Sequence, residues 1–275
     1  MERSAGRKAH KRRSRVARWL ASVRKRRWHR ALRATPGWVK VVGAVLVLGV
    51  VSVGVNWVYQ VYRKPTELFF PISGSFYKDP ARTWAAYGAL FREHSTPVMT
   101  PALLAALAQV EGSGNPIVRT YWRLAFTTAP FEIYRPASSA VGMYQITDGT
   151  FAEARHYCIH EHKVASDDAP WYSLRGCWFN SLYMRTVPSD AIELTSAYLD
   201  LRVAAAVRGR PTPPTLRDKQ QLAALIHLCG PGVAGTFVRR GFAPAPGQRC
   251  GTHDLRAYLE RVESMEKTFA ALAAG

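Results

Sequence analysis

Acidic residues are nearly absent from the start of this 275-residue chain. Residues 1–38 contain 14 Lys and Arg side chains and one acid, Glu2, so they hold 13 of the 19 net positive charges and leave +6 for the rest. A run of this composition cannot build a hydrophobic core. It indicates a basic tail that binds either nucleic acid or the anionic headgroups of a membrane.

Charge of either sign is missing from the stretch that follows. Val41–Tyr62 reads VVGAVLVLGVVSVGVNWVYQVY, which is long and apolar enough to span a bilayer. Aromatic residues lie at both borders, as in an interfacial belt: Trp38, Trp57, Tyr59 and Tyr62. The sequence predicts one transmembrane helix over residues 39–62, and the basic flank predicts a cytoplasmic N-terminus, which makes nucleic acid an unlikely partner. A cleaved signal peptide is the alternative, although no clear small-x-small site precedes Trp57.

Alternating strand patterns are almost absent beyond this segment. We therefore predict a stalk over residues 63–79 and a mainly α domain over residues 80–275. Helices are predicted where apolar residues recur at helical spacing between Pro, Gly and Ser clusters: from Pro80, then Thr150–Cys158, Ser189–Val207, Lys219–Cys229, Val233–Arg239 and Leu255–Ala273. Ser189 is a candidate N-cap, and Thr150 with Glu153 a candidate capping box.

Only four cysteines occur, and no two are spaced as CxxC. That spacing disfavours a zinc site, so no metal or other cofactor is predicted. All four follow the apolar segment, and an even number outside the cytoplasm favours disulfides. Three pairings are possible. We favour Cys158–Cys177 and Cys229–Cys250, because each closes a loop of about 20 residues between helices.

One acid stands out in the stretch Thr100–Pro116, TPALLAALAQVEGSGNP. Thr100 suits an N-cap, Pro101 the first helical position, and Gly112 a left-handed C-cap. Glu111 shares the helix face of the preceding leucines and lies at the C-terminal end. Burial and the helix dipole both disfavour its charged form, as a general acid requires. A solvated Glu at a fraying helix end is the structural alternative.

Three further segments give this acid a context: SSAVGMYQITDGTF at 138–151, IHLCGPG at 226–232 and LRAYLERV at 255–262. With EGSGNP at 111–116, their order resembles the soluble lytic transglycosylase family, which shares its fold with goose-type lysozyme. The resemblance covers roughly residues 80–265 and implies a lysozyme-like helical domain. It implies that Glu111 is the catalytic acid/base, and that substrate-binding side chains come from the same motifs: Ser139, Gly142, Tyr144, Gln145, His227 and Tyr258.

The chain departs from the family pattern at several positions. Gly112 replaces a Ser, Ser139 replaces a Gly, and His227-Leu228 replaces Tyr-Asn. About 20 extra residues, Ile117–Ala137, separate the first two motifs. This insert carries aromatic residues that suit either the core or sugar stacking, with the core slightly favoured: Tyr121, Trp122, Phe126, Phe131 and Tyr134.

The resemblance implies cleavage of the β-1,4 bond between N-acetylmuramic acid and N-acetylglucosamine, with 1,6-anhydro ends as products. The expected partners are peptidoglycan strands and the bacterial inner membrane through one helix, with an envelope-spanning machine as a further candidate and the domain in the periplasm. The alternatives are a lysozyme-like hydrolase, a non-catalytic peptidoglycan-binding protein of an envelope-spanning secretion or conjugation system, and a DNA-binding membrane protein that uses the basic tail.

Overall fold

A computed structural model describes residues 34–69, 71–166 and 176–275. Most of the predicted basic tail, residues 1–33, lies outside the described residues. The chain divides between Tyr59 and Gln60 into two units, and the second unit, Gln60–Gly275, contains the last turn of the apolar helix and the whole of the domain that follows it.

The predicted membrane segment forms one helix, α1, at Gly37–Arg63. Its 27 residues give a length of about 40 Å, more than the roughly 30 Å hydrocarbon core of a bilayer. Its apolar side chains are exposed, with Val50 the most exposed valine at 74%. By length and composition, α1 can cross a membrane, and it is the one such helix among the described residues.

The segment predicted as a stalk is packed onto the domain. It forms 3₁₀ turns at Pro65–Phe69 and Ser73–Phe76. Glu67 is fully buried and accepts hydrogen bonds from the Arg119 guanidinium and the Trp122 indole. Farther along, the backbone N–H of Lys78 donates to the carbonyl of Ser113. These bonds fix the segment from both ends, so it is not a free linker.

The remaining helices are close to the prediction, and the domain is mainly helical. They are α2 at Pro80–Glu93, α3 at Pro101–Gly112, α4 at Asp148–Ala154, α5 at Pro188–Val207, α6 at Leu216–Cys229, α7 at Ala234–Arg239 and α8 at Leu255–Ala274. Two predicted caps are wrong. Thr147, not Thr150, caps α4, and Ser189 lies inside α5, where its hydroxyl instead hydrogen-bonds the His94 ring.

Helix α3 lies at the centre of the core. Its residues 103–108 are all 0–1% exposed, so the helix is buried on every side rather than along one face. Helix α8 packs along it, and α2 packs on another side. The C-terminal end of α3 therefore extends directly from the core, and the packing of α3 holds the side chains at that end in place.

Three two-stranded hairpins, which the sequence did not predict, complete the described part of the domain. They pair β1 at Trp122–Leu124 with β2 at Tyr134–Pro136, β3 at Tyr157–His160 with β4 at Lys163–Ser166, and β5 at Arg249–Cys250 with β6 at His253–Asp254. The strands are two to four residues long, too short for an alternating pattern to be recognised. Helix α4 therefore ends before the predicted Cys158, which lies in β3.

Both favoured disulfides are present. Cys158 in β3 is joined to Cys177, and Cys229 at the end of α6 is joined to Cys250 in β5. These pairs use all four cysteines of the sequence. Each bond fixes a short hairpin to a neighbouring segment, which explains how strands of this length persist.

The aromatic residues of the insert are mostly on the surface, so the preference for the core was wrong for them. Four of them are exposed: Tyr121, Phe126, Phe131 and Tyr134. Trp122 is half-buried, and its indole N–H donates to Glu67. The insert builds the β1–β2 hairpin and lies against the 3₁₀ turns rather than inside the helical core.

Gly112 is not the left-handed C-cap. It is the last helical residue of α3, and Ser113 takes the left-handed conformation with φ 49°. A Cβ on Gly112 would lie 2.8 Å from both the Cα and the carbonyl oxygen of Met143. The glycine is therefore required by backbone packing against the second motif.

We predict that Gly112→Ala lowers the free energy of unfolding by about 1–3 kcal/mol, because backbone atoms must move to admit the methyl group. Gly149→Ala in α4, where a Cβ meets nothing within 4 Å, is the matched control and should leave stability unchanged or slightly raised. Urea denaturation followed by circular dichroism measures both. Equal stability of the two variants would contradict this account.

Candidate functional site around Glu111

Glu111 lies in the last turn of α3, and only 18% of its side chain is exposed. Its Oε1 accepts a hydrogen bond of 2.6 Å from the hydroxyl of Tyr258 in α8. The carboxyl is thus held between two packed helices, with a small exposed fraction left for a ligand. This geometry excludes the solvated helix-end alternative.

Tyr258 is buried, with 1% exposure, although it carries a polar hydroxyl. Burial, the charge of Glu111 and the hydrogen bond to it raise the pKa of Tyr258 well above its usual value. The hydroxyl therefore stays protonated and remains a donor at any physiological pH. Its role in this arrangement is to orient the Glu111 carboxyl and to satisfy one of its oxygens.

His227 is the second polar group at the carboxyl. It lies in the last turn of α6, and its Nε2 is 3.9 Å from Glu111 Oε1. The Tyr144 ring meets the His227 ring edge-on, with centroids 6.4 Å apart. The helix ends of α3 and α6 thus bring Glu111 and His227 together from positions 116 residues apart.

A cleft of about 200 Å³ opens beside His227. Its walls come from the loop before α4, from α5 and from the end of α6, and include polar side chains that suit a sugar: Gln145, Thr147, Thr150, Thr195, Tyr198 and His227. None of the described residues that line it is acidic. Glu111 does not itself line this cleft, but its Oε1 is 3.9 Å from the Nε2 of His227, which does.

Gln145 enters the cleft from a tight turn. The turn needs left-handed backbone at Gly142, φ 77°, and at Gln145 itself, φ 48°. A Cβ at Gly142 would lie 2.2 Å from the carbonyl oxygen of Arg185, so only glycine fits there. The Gln145 amide donates to the carbonyls of Gly142 and Val118, which fixes its side chain.

Two residues predicted to bind substrate have other positions. Tyr144 is fully buried, and its hydroxyl donates to the Leu104 carbonyl, so it supports His227 from the core. Ser139 lines a different cavity, and its hydroxyl accepts from the N–H of Asp148 near the start of α4. Burial explains the first difference. The second arises because the turn at Gly142 separates Ser139 from Gln145.

Asn115 stabilises the loop that follows Glu111. It is fully buried, its amide donates to the Ser73 carbonyl, and its Oδ1 accepts from the N–H of Ile117. Gly114, with φ 63°, lies so close to Thr83 that a Cβ would be 2.2 Å from its hydroxyl. The EGSGNP segment is thereby tied to both α2 and the second 3₁₀ turn, which begins at Ser73.

The three acids that follow Glu111 in the sequence are engaged elsewhere. Glu132 pairs with Arg63 and Arg135, Asp148 with Arg185, and Glu153 with Arg202. Each is therefore held as an ion-pair partner, and Glu111 is the acid that lies next to the cleft residue His227.

Arg185 and Glu193 have structural roles that no pattern in the sequence indicates. The Arg185 guanidinium donates to the carbonyls of Ser139 and Ile146 and so braces both ends of the second motif. Glu193 is buried in α5 and accepts from the N–H of Ile159 and the hydroxyl of Tyr183. Arg185 lies in an irregular loop, which has no periodic pattern. Glu193 lies in α5, where helical periodicity predicts apolar rather than charged residues on the buried face.

Comparison with known proteins adds no assignment, because no protein-family model and no curated protein matches the chain. Its function must be argued from the site.

We predict that Tyr258→Phe makes stability less sensitive to alkaline pH. Below the unfolded-state pKa of about 10, both states keep the proton and Tyr258 contributes no pH dependence. Above it, the unfolded state ionises while the folded state, with its raised pKa, does not, so stability falls by up to about 1.4 kcal/mol per pH unit.

Denaturation curves between pH 8 and 11 measure this slope. The exposed Tyr121→Phe is the control, since its hydroxyl is in solvent in both states, and it should follow the wild-type curve. Parallel curves for wild type and Tyr258→Phe would show that the buried hydroxyl does not resist ionisation.

Proposed function

We propose that this chain is a membrane-anchored peptidoglycan lytic transglycosylase, with Glu111 as its single acid/base. The observation that supports the proposal best is the mostly buried Glu111 carboxyl, hydrogen-bonded by Tyr258 at 2.6 Å and adjacent to a polar cleft. A single carboxyl beside His227, which lines a cleft of about 200 Å³, suits a reaction in which the same group first gives and then takes a proton.

In the proposed first step, protonated Glu111 donates its proton to the glycosidic oxygen, and the bond from that oxygen to C1 of N-acetylmuramic acid breaks. In the second, the Glu111 carboxylate takes the proton of the same sugar's C6 hydroxyl, whose oxygen bonds to C1. The product is a 1,6-anhydro sugar, and Glu111 is protonated again. No water and no second carboxylate enter, unlike most glycosidases.

The neighbours of Glu111 suit these two steps. The Tyr258 hydroxyl remains a donor throughout, so it stabilises the carboxylate formed after the first step and keeps it aimed at the cleft. His227 and Gln145 face the cleft and supply hydrogen-bonding groups for the sugar. The pairing of Glu132, Asp148 and Glu153 with arginines leaves none of them as a second catalytic carboxylate.

A lysozyme-like hydrolase would use the same carboxyl but admit water to C1. The two reactions differ only in the acceptor, so the reducing end of the product separates them. An intact site without turnover would instead favour the non-catalytic peptidoglycan-binding alternative.

The proposed location is the bacterial inner membrane, with the domain in the periplasm. Helix α1 can span the bilayer, and the basic residues lie on its N-terminal side. The two disulfides suit an oxidising compartment on the other side. Peptidoglycan lies in that compartment, and the mild positive charge of residues 39–275 suits its anionic strands.

We predict that Glu111→Gln abolishes release of sugars from purified sacculi, with at least a hundredfold lower rate, because the amide cannot cycle a proton. Glu260→Gln, an exposed acid in α8 two residues from Tyr258, is the control and should retain wild-type activity. Mass spectrometry of the released muropeptides gives rate and product together. Anhydro ends support transglycosylation, reducing ends identify a hydrolase, and near-normal activity of Glu111→Gln refutes the assignment.

A second prediction concerns orientation. Alkaline phosphatase, which is active only outside the cytoplasm, should be active when fused after Gly275 and inactive when fused before Trp38. The opposite pattern would place the domain in the cytoplasm. A soluble product beginning near Trp57 would show a cleaved signal peptide.

A further inference from the structure

The β1–β2 hairpin of the insert has two chemically different faces. The register pairs Leu124 with Tyr134, and Arg123 with Arg135. Because side chains alternate along a strand, the apolar pair lies on one face and the two arginines on the other. On the apolar face the rings of Trp122 and Tyr134 lie 5.1 Å apart.

Apolar side chains at the tip of this hairpin are strongly exposed. Phe126 is fully exposed, and Leu124 is 74% exposed. Phe131 and Ile133 are also exposed, and residues 125–131 contain no charged side chain. An apolar cluster of this kind on a protein surface marks a site of interaction with another apolar phase.

The hairpin is bonded to the last turn of α1. The Gln60 side chain donates to the carbonyl of Phe131 at 2.6 Å, and Arg63 forms an ion pair with Glu132. Gln60 and Arg63 are the C-terminal end of the helix that can span a membrane, where Tyr59 and Tyr62 form the predicted interfacial belt. Chain connectivity therefore brings the hairpin to the boundary between bilayer and water.

We propose that the apolar face and tip of this hairpin insert into the outer interface of the bilayer that α1 crosses. The composition is that of an interfacial anchor: Trp and Tyr, which favour the headgroup level, and Phe and Leu, which favour the acyl boundary. Arg123 and Arg135 stand on the opposite face, and Arg135 pairs there with Glu132.

Two neighbouring side chains extend the same surface. Leu68 and Ile72, in and after the first 3₁₀ turn, are 56% and 49% exposed. The turn is fixed to the hairpin through Glu67 and Trp122. Apolar side chains from two adjacent segments thus gather where α1 ends.

The other readings of this surface are less well supported. The insert residues do not line the cleft beside His227, so stacking on a bound sugar at that site does not explain them. A second copy of the chain would offer the same apolar hairpin, but pairing of two copies would not involve the bonds between the hairpin and α1. Continuity with the membrane-spanning helix favours lipid as the occupant.

The test places a polarity-sensitive fluorophore at the hairpin tip of the full-length chain. Thr128→Cys supplies the thiol, since Thr128 is exposed and all four native cysteines are in disulfides. The protein is reconstituted in vesicles of phosphatidylethanolamine and phosphatidylglycerol that carry nitroxide-labelled lipids. The control is Thr268→Cys in α8. Thr268 lies two residues from Glu266, which accepts a hydrogen bond from Thr100. Thr100 is at the opposite end of α3 from Glu111.

We expect lipid-borne nitroxide to quench the label at residue 128 at least threefold more than the label at residue 268. Adding Leu124→Ser and Phe126→Ser, both at exposed positions, should reduce the quenching at residue 128 by at least half. Equal quenching at the two labels overturns the proposal, as does quenching that the serine substitutions leave unchanged. Protection from aqueous iodide without lipid quenching also overturns it and identifies a protein occupant. A failure here leaves the enzymatic proposal intact, because the sacculus assay reads Glu111 independently.

Discussion

The hydrogen bond between Tyr258 and Glu111 joins the two helices on which the core is built. Helix α3 is buried on all sides and α8 packs along it, so apolar packing alone holds the two helices against each other. A buried hydroxyl and a mostly buried carboxyl are costly unless each satisfies the other. The hydrogen bond that offsets the cost of burying the two groups also sets the orientation of the Glu111 carboxyl.

Adjacent residues of the second motif, residues 138–151, contribute to the core and to the cleft. Met143 and Tyr144 are fully buried, whereas Gln145 turns toward the cleft because two left-handed residues reverse the chain. Gly112 lets the end of α3 approach the backbone of Met143. The carboxyl, the imidazole of His227 and the cleft wall are therefore parts of one packed unit, and a change in the packing beneath them would shift all three.

The helices and the principal site pair could be predicted from the sequence, because each depends on local chemistry or on a motif. Thr100 and Pro101 start α3, and the family-like segments led to Glu111 and Tyr258. The hairpins were missed because strands of two to four residues carry no period. The motif predicts Tyr144 and Ser139 at the substrate because it specifies which residues are needed, not whether they face the core. The exposure of the insert aromatics depends on where the insert lies against the domain, which no spacing in the sequence encodes.

The segment that follows α1 is packed rather than flexible. A flexible linker of roughly 16 residues would let its two ends move some 20–24 Å apart. Here Glu67, Ser73 and Lys78 are bonded to the insert and to the loop that follows Glu111, so that freedom is lost. The distance between Glu111 and the last turn of α1 is therefore set by packing and hydrogen bonds rather than by diffusion on a tether.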